Sequence, residues 1–144
     1  MKPNFVVGLT ALTAVALAQL RTLRLVVNGN SMLPGLFPGD RVLVIRTRRV
    51  RPGEVVAVVH PGDTGRLMVK RVASVEHRKG TVTVVGDNPS ASTDSRDFGP
   101  VPRHCVIGRV VYRYAPAGRD GLLRRVLPIA DTGASRTDTV NDDG

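Results

Sequence analysis

Aromatic residues and cysteine are scarce in this chain. Tryptophan is absent, and phenylalanine and tyrosine bring the aromatic fraction to only 3%. Proteins that bind single-stranded nucleic acid normally stack bases on aromatic rings, so this scarcity counts against such a role. Cys105 is the single cysteine, which excludes an internal disulfide, and it has no zinc-ligand spacing with His60, His77 or His104. We therefore expect neither a metal nor another cofactor.

Acidic residues are also in short supply relative to basic ones. The chain has 21 lysines and arginines against 12 aspartates and glutamates, a formal net charge of +9. This charge favours an anionic partner, either nucleic acid or an anionic lipid surface. A basic β-barrel that binds nucleic acid is therefore the alternative function. The dense basic run at residues 46–51 is either a solvated loop or a contact with anionic headgroups.

No charged residue occurs between Lys2 and Arg21. A membrane-spanning helix needs ~20 mostly apolar residues, so this segment is near the lower limit. Three interpretations remain open: a membrane anchor, a helix packed on the domain or lying at a membrane interface, and a cleaved signal peptide. We favour an anchor in the cytoplasmic membrane. Basic residues flank both ends, with Arg24 beyond Arg21, so the positive-inside rule leaves the side open, the cytoplasmic side included.

Short valine-rich segments alternate with Gly- and Pro-containing turns from residue 25 onward. Such segments favour β-strands, and turns such as Pro38-Gly39 and Pro61-Gly62 separate them. Short strands at this spacing are typical of an all-β barrel or coiled sheet rather than of alternating strands and helices. The pattern predicts strands over residues 25–27, 41–46, 54–60, 66–76, 81–85 and 105–114.

These patterns predict three segments along the chain. Residues 1–23 form an N-terminal hydrophobic helix, and residues 24–116 form the β-rich domain. Residues 117–144 form a polar tail, which has almost nothing to bury from about residue 131 and is expected to be disordered there.

A serine and a lysine stand out against this background. Ser31 lies between small polar residues and a Met-Leu-Pro turn, where its hydroxyl can face a substrate. Lys70 lies in the apolar run of residues 67–72, an unusual place for a solvated charge. A serine hydroxyl becomes nucleophilic when a base takes its proton, and lysine can act as that base when burial lowers its pKa. The pair indicates a serine protease with a Ser-Lys arrangement.

Side-chain alternation supports the burial of the lysine. On a strand, Met68, Lys70 and Val72 share one face, whereas Val69 and Arg71 share the other. Lys70 therefore has two apolar neighbours on its face. The same alternation predicts that Arg71 reaches solvent.

Four segments together resemble a known family. They are residues 29–34 (Gly-Asn-Ser-Met-Leu-Pro), 39–44, 69–72 and 86–99, the last containing Gly-Asp-Asn and Asp-Ser-Arg. In this order they are similar to the signal peptidase I family, serine proteases with a Ser-Lys dyad. The resemblance covers roughly residues 24–112. It implies a mainly β fold, a small coiled β-barrel or sheet of the signal peptidase I and LexA-like type, preceded by one N-terminal helix.

The resemblance assigns roles to individual residues. Ser31 would be the nucleophile, and its backbone N–H would be one oxyanion donor. Lys70 would be the general base, which later activates the water that deacylates the enzyme. Ser92 aligns with a hydroxyl that orients the lysine. Some members carry a second hydroxyl donor where this chain has Gly29, so the second oxyanion donor stays open.

Supporting and substrate-binding residues follow from the same resemblance. Asp94 and Arg96 align with an ion pair, and Gly86 aligns with a position that needs close backbone approach. The family binds an extended peptide along a strand edge and favours small residues, typically alanine, before the cut. The positions that align with its pockets are Met32, Leu36, Met68 and Val69.

The resemblance also implies a class of substrate. The expected partner is another protein bearing an N-terminal leader, and no nucleic acid is expected. Only about fifteen residues separate Lys70 from Gly86, so the large inserted β domain of some bacterial signal peptidases is absent. This compact form resembles the subgroup proposed to mature nickel-type superoxide dismutase. The substrate is therefore either that precursor or another leader-bearing protein.

Overall fold

A computed structural model describes residues 13, 14, 16, 17 and 21–126. Among residues 21–126, one short helix, α1 (Ser95–Phe98), accompanies eight strands, so the mainly β class is confirmed. Two 3-10 turns cover Pro89–Ala91 and Arg103–Cys105. The strands are β1 (Thr22–Val26), β2 (Arg41–Arg46), β3 (Val55–His60), β4 (Asp63–Glu76), β5 (Thr81–Val85), β6 (Val101–Pro102), β7 (Val106–Ala115) and β8 (Gly121–Leu122).

All of these strands belong to one antiparallel sheet in the order β1-β2-β7-β3-β4-β5-β6, with β8 beside β7. β4 changes partners along its length. Residues 67–71 pair with β3, and β5 pairs only with the second half, from Arg71 to Glu76. β1 pairs only with β2. Within the described chain, β1 and the first half of β4 therefore each keep one unpaired edge.

The sheet encloses two hydrophobic clusters. The alternation of side chains along β3 connects them, because Val56 and Val58 pack in one cluster while Val55 and Ala57 pack in the other. Both faces of this central strand are buried. The proximal core, as we name the second cluster, consists of Val27, Met32, Leu36, Val42, Val44, Val55, Ala57 and Val110.

The segment after β5 docks on that strand through side chains. The backbone N–H of Val84 donates to Ser95 Oγ at 2.9 Å, and that of Gly86 donates to Asp94 Oδ2 at 2.8 Å. Asp94 is also the N-cap of α1, where its carboxylate accepts from the N–H of Arg96. Two polar side chains thus replace a paired strand and fix the segment against the end of β5.

The observed strands follow the predicted ones closely. The predictions for β2 and β5 are confirmed at both ends, and β1 and β4 each begin three residues earlier than expected. Sequence reasoning missed β6 and β8, because two residues are too short to show periodicity. β8 pairs with β7 and Leu123 packs on the proximal core, so the sheet continues beyond the predicted boundary at residue 116.

The two ends of the chain lie mostly outside the described residues. Positions 13, 14, 16 and 17 are helical, and the rest of the predicted N-terminal helix is outside the description. The predicted disorder from residue 131 also falls outside it. Across the part of the chain that is described, we find no helix with the length and apolarity needed to cross a bilayer.

Candidate active site

A cleft of about 590 Å³ lies between the unpaired edges of β1 and β4. Residues 24–32 form one wall and residues 66–70 the other, with Ala91 and Thr93 completing the lining. Ser31 and Lys70, which are 39 positions apart in sequence, both line this cleft. The fold therefore places the predicted nucleophile and the predicted base at the same opening.

The turn that carries Ser31 is fixed at both ends. The N–H of Val27 donates to the carbonyl of Asp40 at 2.8 Å, which closes the loop at its base. Met32 and Leu36 are each 1% exposed and pack in the proximal core. Ser31 itself is half-buried. A polar turn with two apolar anchors thus presents one serine at the surface of the cleft.

Lys70 is buried, with 4% of its surface exposed, and its Nζ donates to Ser92 Oγ at 2.9 Å. Burial lowers the pKa of Lys70, because the charged ammonium loses its hydration. The Asp94 carboxylate opposes this effect and raises the pKa, whereas the nearby guanidinium groups of Arg66 and Arg96 lower it further. The net result is a lysine poised to lose its proton more readily than a solvated one.

Ser92 connects the lysine to a buried carboxylate. Its hydroxyl donates to Asp94 Oδ2 at 2.6 Å, so its oxygen lone pairs are left to accept from Lys70. Burial opposes ionisation of Asp94, but hydrogen bonds from Arg96, Ser92 and the Gly86 N–H outweigh that cost and hold its pKa well below its usual range. The carboxylate therefore remains anionic and keeps the Ser92 hydroxyl in one orientation.

Arg96 completes this arrangement through the predicted ion pair. Its Nε and Nη2 donate to Asp94 at 2.9 and 2.6 Å. The carboxylate is fully buried, whereas the Arg96 side chain is 45% exposed. The guanidinium thus shields the acid from solvent on the outer side of the site.

Gly86 lies where no side chain fits. A Cβ at this position would lie 2.5 Å from Ser92 Cβ and 2.6 Å from the carbonyl oxygen of Ser31. The constraint is one of space, since these contacts are shorter than real Cβ atoms tolerate. The close approach expected at Gly86 thus brings the end of β5 against both the serine turn and the lysine-orienting hydroxyl.

Arg71 does not reach solvent, so that prediction is wrong. It is 7% exposed, donates through Nε and Nη2 to both oxygens of Asp87 at 2.7 Å, and donates through Nη1 to the carbonyl of Gly53 at 2.8 Å. The guanidinium fork matches the carboxylate, and its remaining donor meets a buried carbonyl. The pairing acid, Asp87, follows Gly86 directly within the Gly-Asp-Asn motif, and sequence reasoning assigned it no role.

The Arg71–Asp87 pair stands next to the serine turn. The backbone N–H of Asn88 donates to the carbonyl of Ser31 at 2.9 Å, and its side chain donates to the carbonyl of Asn30 at 3.1 Å. Two consecutive residues, Asp87 and Asn88, thereby join β4 to the turn that carries Ser31.

Ser31 has free donors at the cleft. Among the described residues, none accepts from its backbone N–H, and no hydrogen bond joins its Oγ to Lys70 Nζ. Lys70 instead donates to Ser92. Catalytic hydrogen bonds are often long before substrate binds, so this geometry is compatible with a dyad. The free N–H is compatible with the expected oxyanion donor.

Three of the four predicted pocket residues line the cleft: Met32, Met68 and Val69. Leu36 does not line it and is buried in the proximal core, because the serine turn directs this side chain inward. Sequence reasoning missed Arg24, Arg66 and Thr93, which lie at the cleft without any motif to mark them.

The described residues offer no group of three or more His, Cys, Asp or Glu side chains that could hold a metal ion. The cleft instead offers a hydroxyl, a buried amine and a free backbone N–H between apolar walls, together with polar and basic residues at its lining.

Comparison with known proteins shows that the chain is similar to peptidases. The family model described as Peptidase S24-like matches residues 10–111. The chain is 36% identical to the mitochondrial ATP-independent inner membrane protease subunit 1a of Arabidopsis thaliana, over 68% of this chain and 73% of that protein. It is 31% identical to the mitochondrial inner membrane protease subunit 2 of Mus musculus, over 71% and 72%. It is 29% identical to subunit 1 of Homo sapiens, over 67% and 72%.

Proposed function

Since the chain belongs to the Peptidase S24-like family and is a serine peptidase, we propose that it removes N-terminal leader peptides from other proteins. In this proposal Ser31 is the nucleophile and Lys70 the general base. The observation that carries the assignment is the buried amine of Lys70, which is held by Ser92 in the cleft that Ser31 lines.

The proposed reaction proceeds through an acyl-enzyme. Neutral Lys70 takes the hydroxyl proton of Ser31 as Oγ attacks the scissile carbonyl carbon, and the resulting oxyanion accepts from the Ser31 N–H. The lysine ammonium then gives its proton to the departing amine, and the C–N bond breaks. Lys70 next takes a proton from water, the hydroxide attacks the ester, and the serine leaves with that proton.

The polar groups around Lys70 have one shared task in this scheme. Asp94, kept anionic by Arg96, orients the Ser92 hydroxyl, and Ser92 holds Nζ within the cleft. Burial favours the neutral amine that the first step needs. Gly86 allows this group to approach the serine turn closely.

The unpaired edges of β1 and β4 favour an extended substrate. A peptide strand inserted between them would pair its backbone with N–H and C=O groups that lack strand partners. Met32, Met68 and Val69 provide an apolar wall beside Ser31 and Lys70. This wall suits the small residue expected before the cut.

Membrane association is part of the proposal. The relatives are named as inner membrane proteases, and residues 3–20 of this chain carry no charge. We place the peptidase domain beside a membrane, held by the N-terminal segment. The precursor of nickel-type superoxide dismutase is the first substrate to test, because the compact form of the chain resembles that subgroup.

The test is cleavage of leader-bearing precursors by purified protein, followed by mass spectrometry. Ser31→Ala and Lys70→Met should each abolish turnover while circular dichroism and thermal unfolding show a folded domain. Matched controls are Ser74→Ala and Lys79→Met, since both residues are exposed and lie away from the cleft. Near-normal turnover in either dyad variant would contradict the assignment. If only the superoxide dismutase precursor stays uncut, the narrower substrate is wrong.

A further inference from the structure

Two arginines belong to opposite walls of the cleft beyond the dyad. Arg24 lies on β1 and Arg66 on β4, and both side chains are exposed and line the opening. No Asp or Glu contributes to the described lining. Neither arginine forms an ion pair with a described carboxylate, and Arg24 instead lies over the ring of Tyr114 at 5.9 Å. The cleft therefore has a positive end without its own counter-charge.

The distance from this end of the cleft to Lys70 can be counted along β4. Arg66 precedes Lys70 by four residues on the same strand. At ~3.3 Å per residue, the two backbones are ~13 Å apart along β4. A peptide strand has the same rise, so about four of its residues separate the reacting carbonyl from Arg66. Arg24 lies on the opposite wall, and its guanidinium, which lies over the Tyr114 ring, reaches the same peptide from the other side after a change of rotamer.

The direction of the peptide follows from the apolar wall. Met68 and Val69 are proposed to contact the small residue before the cut, and they lie between Lys70 and Arg66. A chain that continues past them toward Arg66 is the leader, not the mature protein. The arginines therefore face leader residues upstream of the scissile bond.

We propose that Arg24 and Arg66 form a subsite for a carboxylate side chain at the fourth or fifth residue before the scissile bond. The inference rests on the proposed leader peptidase function and narrows its substrates to leaders acidic at that position. Exposed ion pairs are individually weak, so we expect discrimination of about three- to tenfold in kcat/KM rather than an absolute requirement.

A peptide series tests this subsite. Twelve-residue peptides carry alanine at the first and third positions before the cut, and Glu, Gln or Lys at the fourth or fifth. We expect wild-type kcat/KM in the order Glu, Gln, Lys, mainly through KM and weakened by salt. Arg24→Gln and Arg66→Gln should each reduce the preference for Glu, and Arg66→Glu should favour the Lys peptide. Arg78→Gln, an exposed arginine outside the cleft, is the control.

A binding readout separates this inference from the proposed function. Ser31→Ala protein should bind the fluorescent Glu peptide about three- to tenfold more tightly than the Gln peptide. Equal affinity and equal kcat/KM for the Glu, Gln and Lys peptides would overturn the subsite while leaving the peptidase intact. Binding preference without cleavage by wild-type protein would support the subsite and overturn the peptidase.

Anionic lipid is the competing ligand for the same arginines. Vesicles of phosphatidylglycerol and phosphatidylcholine provide that comparison. If Arg24→Gln and Arg66→Gln weaken vesicle binding but leave the Glu preference unchanged, the arginines serve the membrane and the subsite is wrong. Loss of the Glu preference with unchanged vesicle binding supports it.

Discussion

Lys70 and Arg71 are consecutive residues on β4, yet each enters a separate buried polar network. Lys70 contacts Ser92, whereas Arg71 pairs with Asp87. Both partners lie in the segment after β5, and this segment contacts the turn that carries Ser31. Because successive side chains of a strand point to opposite faces, β4 presents the proposed base, Lys70, on one face. On the other face it presents Arg71, whose partner Asp87 adjoins the turn that carries Ser31.

Replacing Ser92 tests the orientation of the lysine. Ser92→Ala removes the acceptor for Nζ, and we expect kcat/KM to fall ~10- to 100-fold with little change in KM, since positioning of a general base is lost. Ser92→Thr keeps a hydroxyl and should recover much of that activity. An active Ser92→Ala enzyme with an unchanged pH profile would contradict the orienting role.

Gly86→Ala tests the close approach at the end of β5. The added methyl group would meet the Ser92 side chain and the Ser31 carbonyl, and such overpacking costs ~1–3 kcal/mol of unfolding free energy. The loss of peptide cleavage should exceed the loss expected from the fraction of protein unfolded, because the Ser92 side chain and the Ser31 carbonyl both belong to the proposed site. The matched control is Gly62→Ala, where the new Cβ would lie 3.5 Å from its nearest neighbour. Urea unfolding and peptide cleavage measure both effects.

Breaking the Arg71–Asp87 pair should destabilise the domain strongly. Arg71→Met leaves a carboxylate that is 15% exposed without its partner, and losses of ~3–5 kcal/mol are typical of such buried pairs. Arg109→Met is the comparison, because its pair with Glu54 has an arginine that is 41% exposed and should cost ~1 kcal/mol or less. Equal urea midpoints for the two variants would show that the Arg71–Asp87 pair contributes no more to the free energy of unfolding than the Arg109–Glu54 pair.

Activity should rise with pH through the pKa of Lys70. The base acts only when neutral, and burial lowers this pKa from the ordinary value of 10.5, so the rise in kcat/KM should lie below that pH. Arg66→Gln removes a positive charge that lowers the pKa and should move the rise to higher pH. Arg78→Gln should leave it in place. A shift to lower pH in Arg66→Gln would contradict the assignment of Lys70 as the titrating base.

Local patterns predicted most of the sheet because valine-rich strands and Gly-Pro turns alternate clearly. The burial of Lys70 was also visible, since Met68 and Val72 share its face and all three are buried. Arg71 shows where such reasoning ends. Its alternation placed it on the other face, but whether that face is solvent or protein depends on Asp87, which reaches it only through the tertiary fold.

The residues of the candidate site could be found only from the motifs and the three-dimensional structure together. Ser31 and Lys70 stood out by their surroundings in the sequence, and Ser92 by the order of the family motifs; in the structure Ser31 and Lys70 line one cleft, and Ser92 accepts a hydrogen bond from Lys70. The position of Leu36 in the proximal core could not be predicted, because a turn residue can face either the core or the cleft and periodicity does not apply within a turn. Arg24 and Arg66 could not be found from sequence, because two surface arginines become a pair only when β1 and β4 face each other.

The two unpaired strand edges have a consequence for when processing can occur. On the proposed mode of binding, the cleft recognises several consecutive residues in an extended conformation, mainly through their backbones. A segment already folded into a helix or a tight turn cannot enter it. Folding of the substrate around the site where leader and mature protein meet would then end the period in which cleavage is possible. A leader would be removed only while the adjoining chain remains extended.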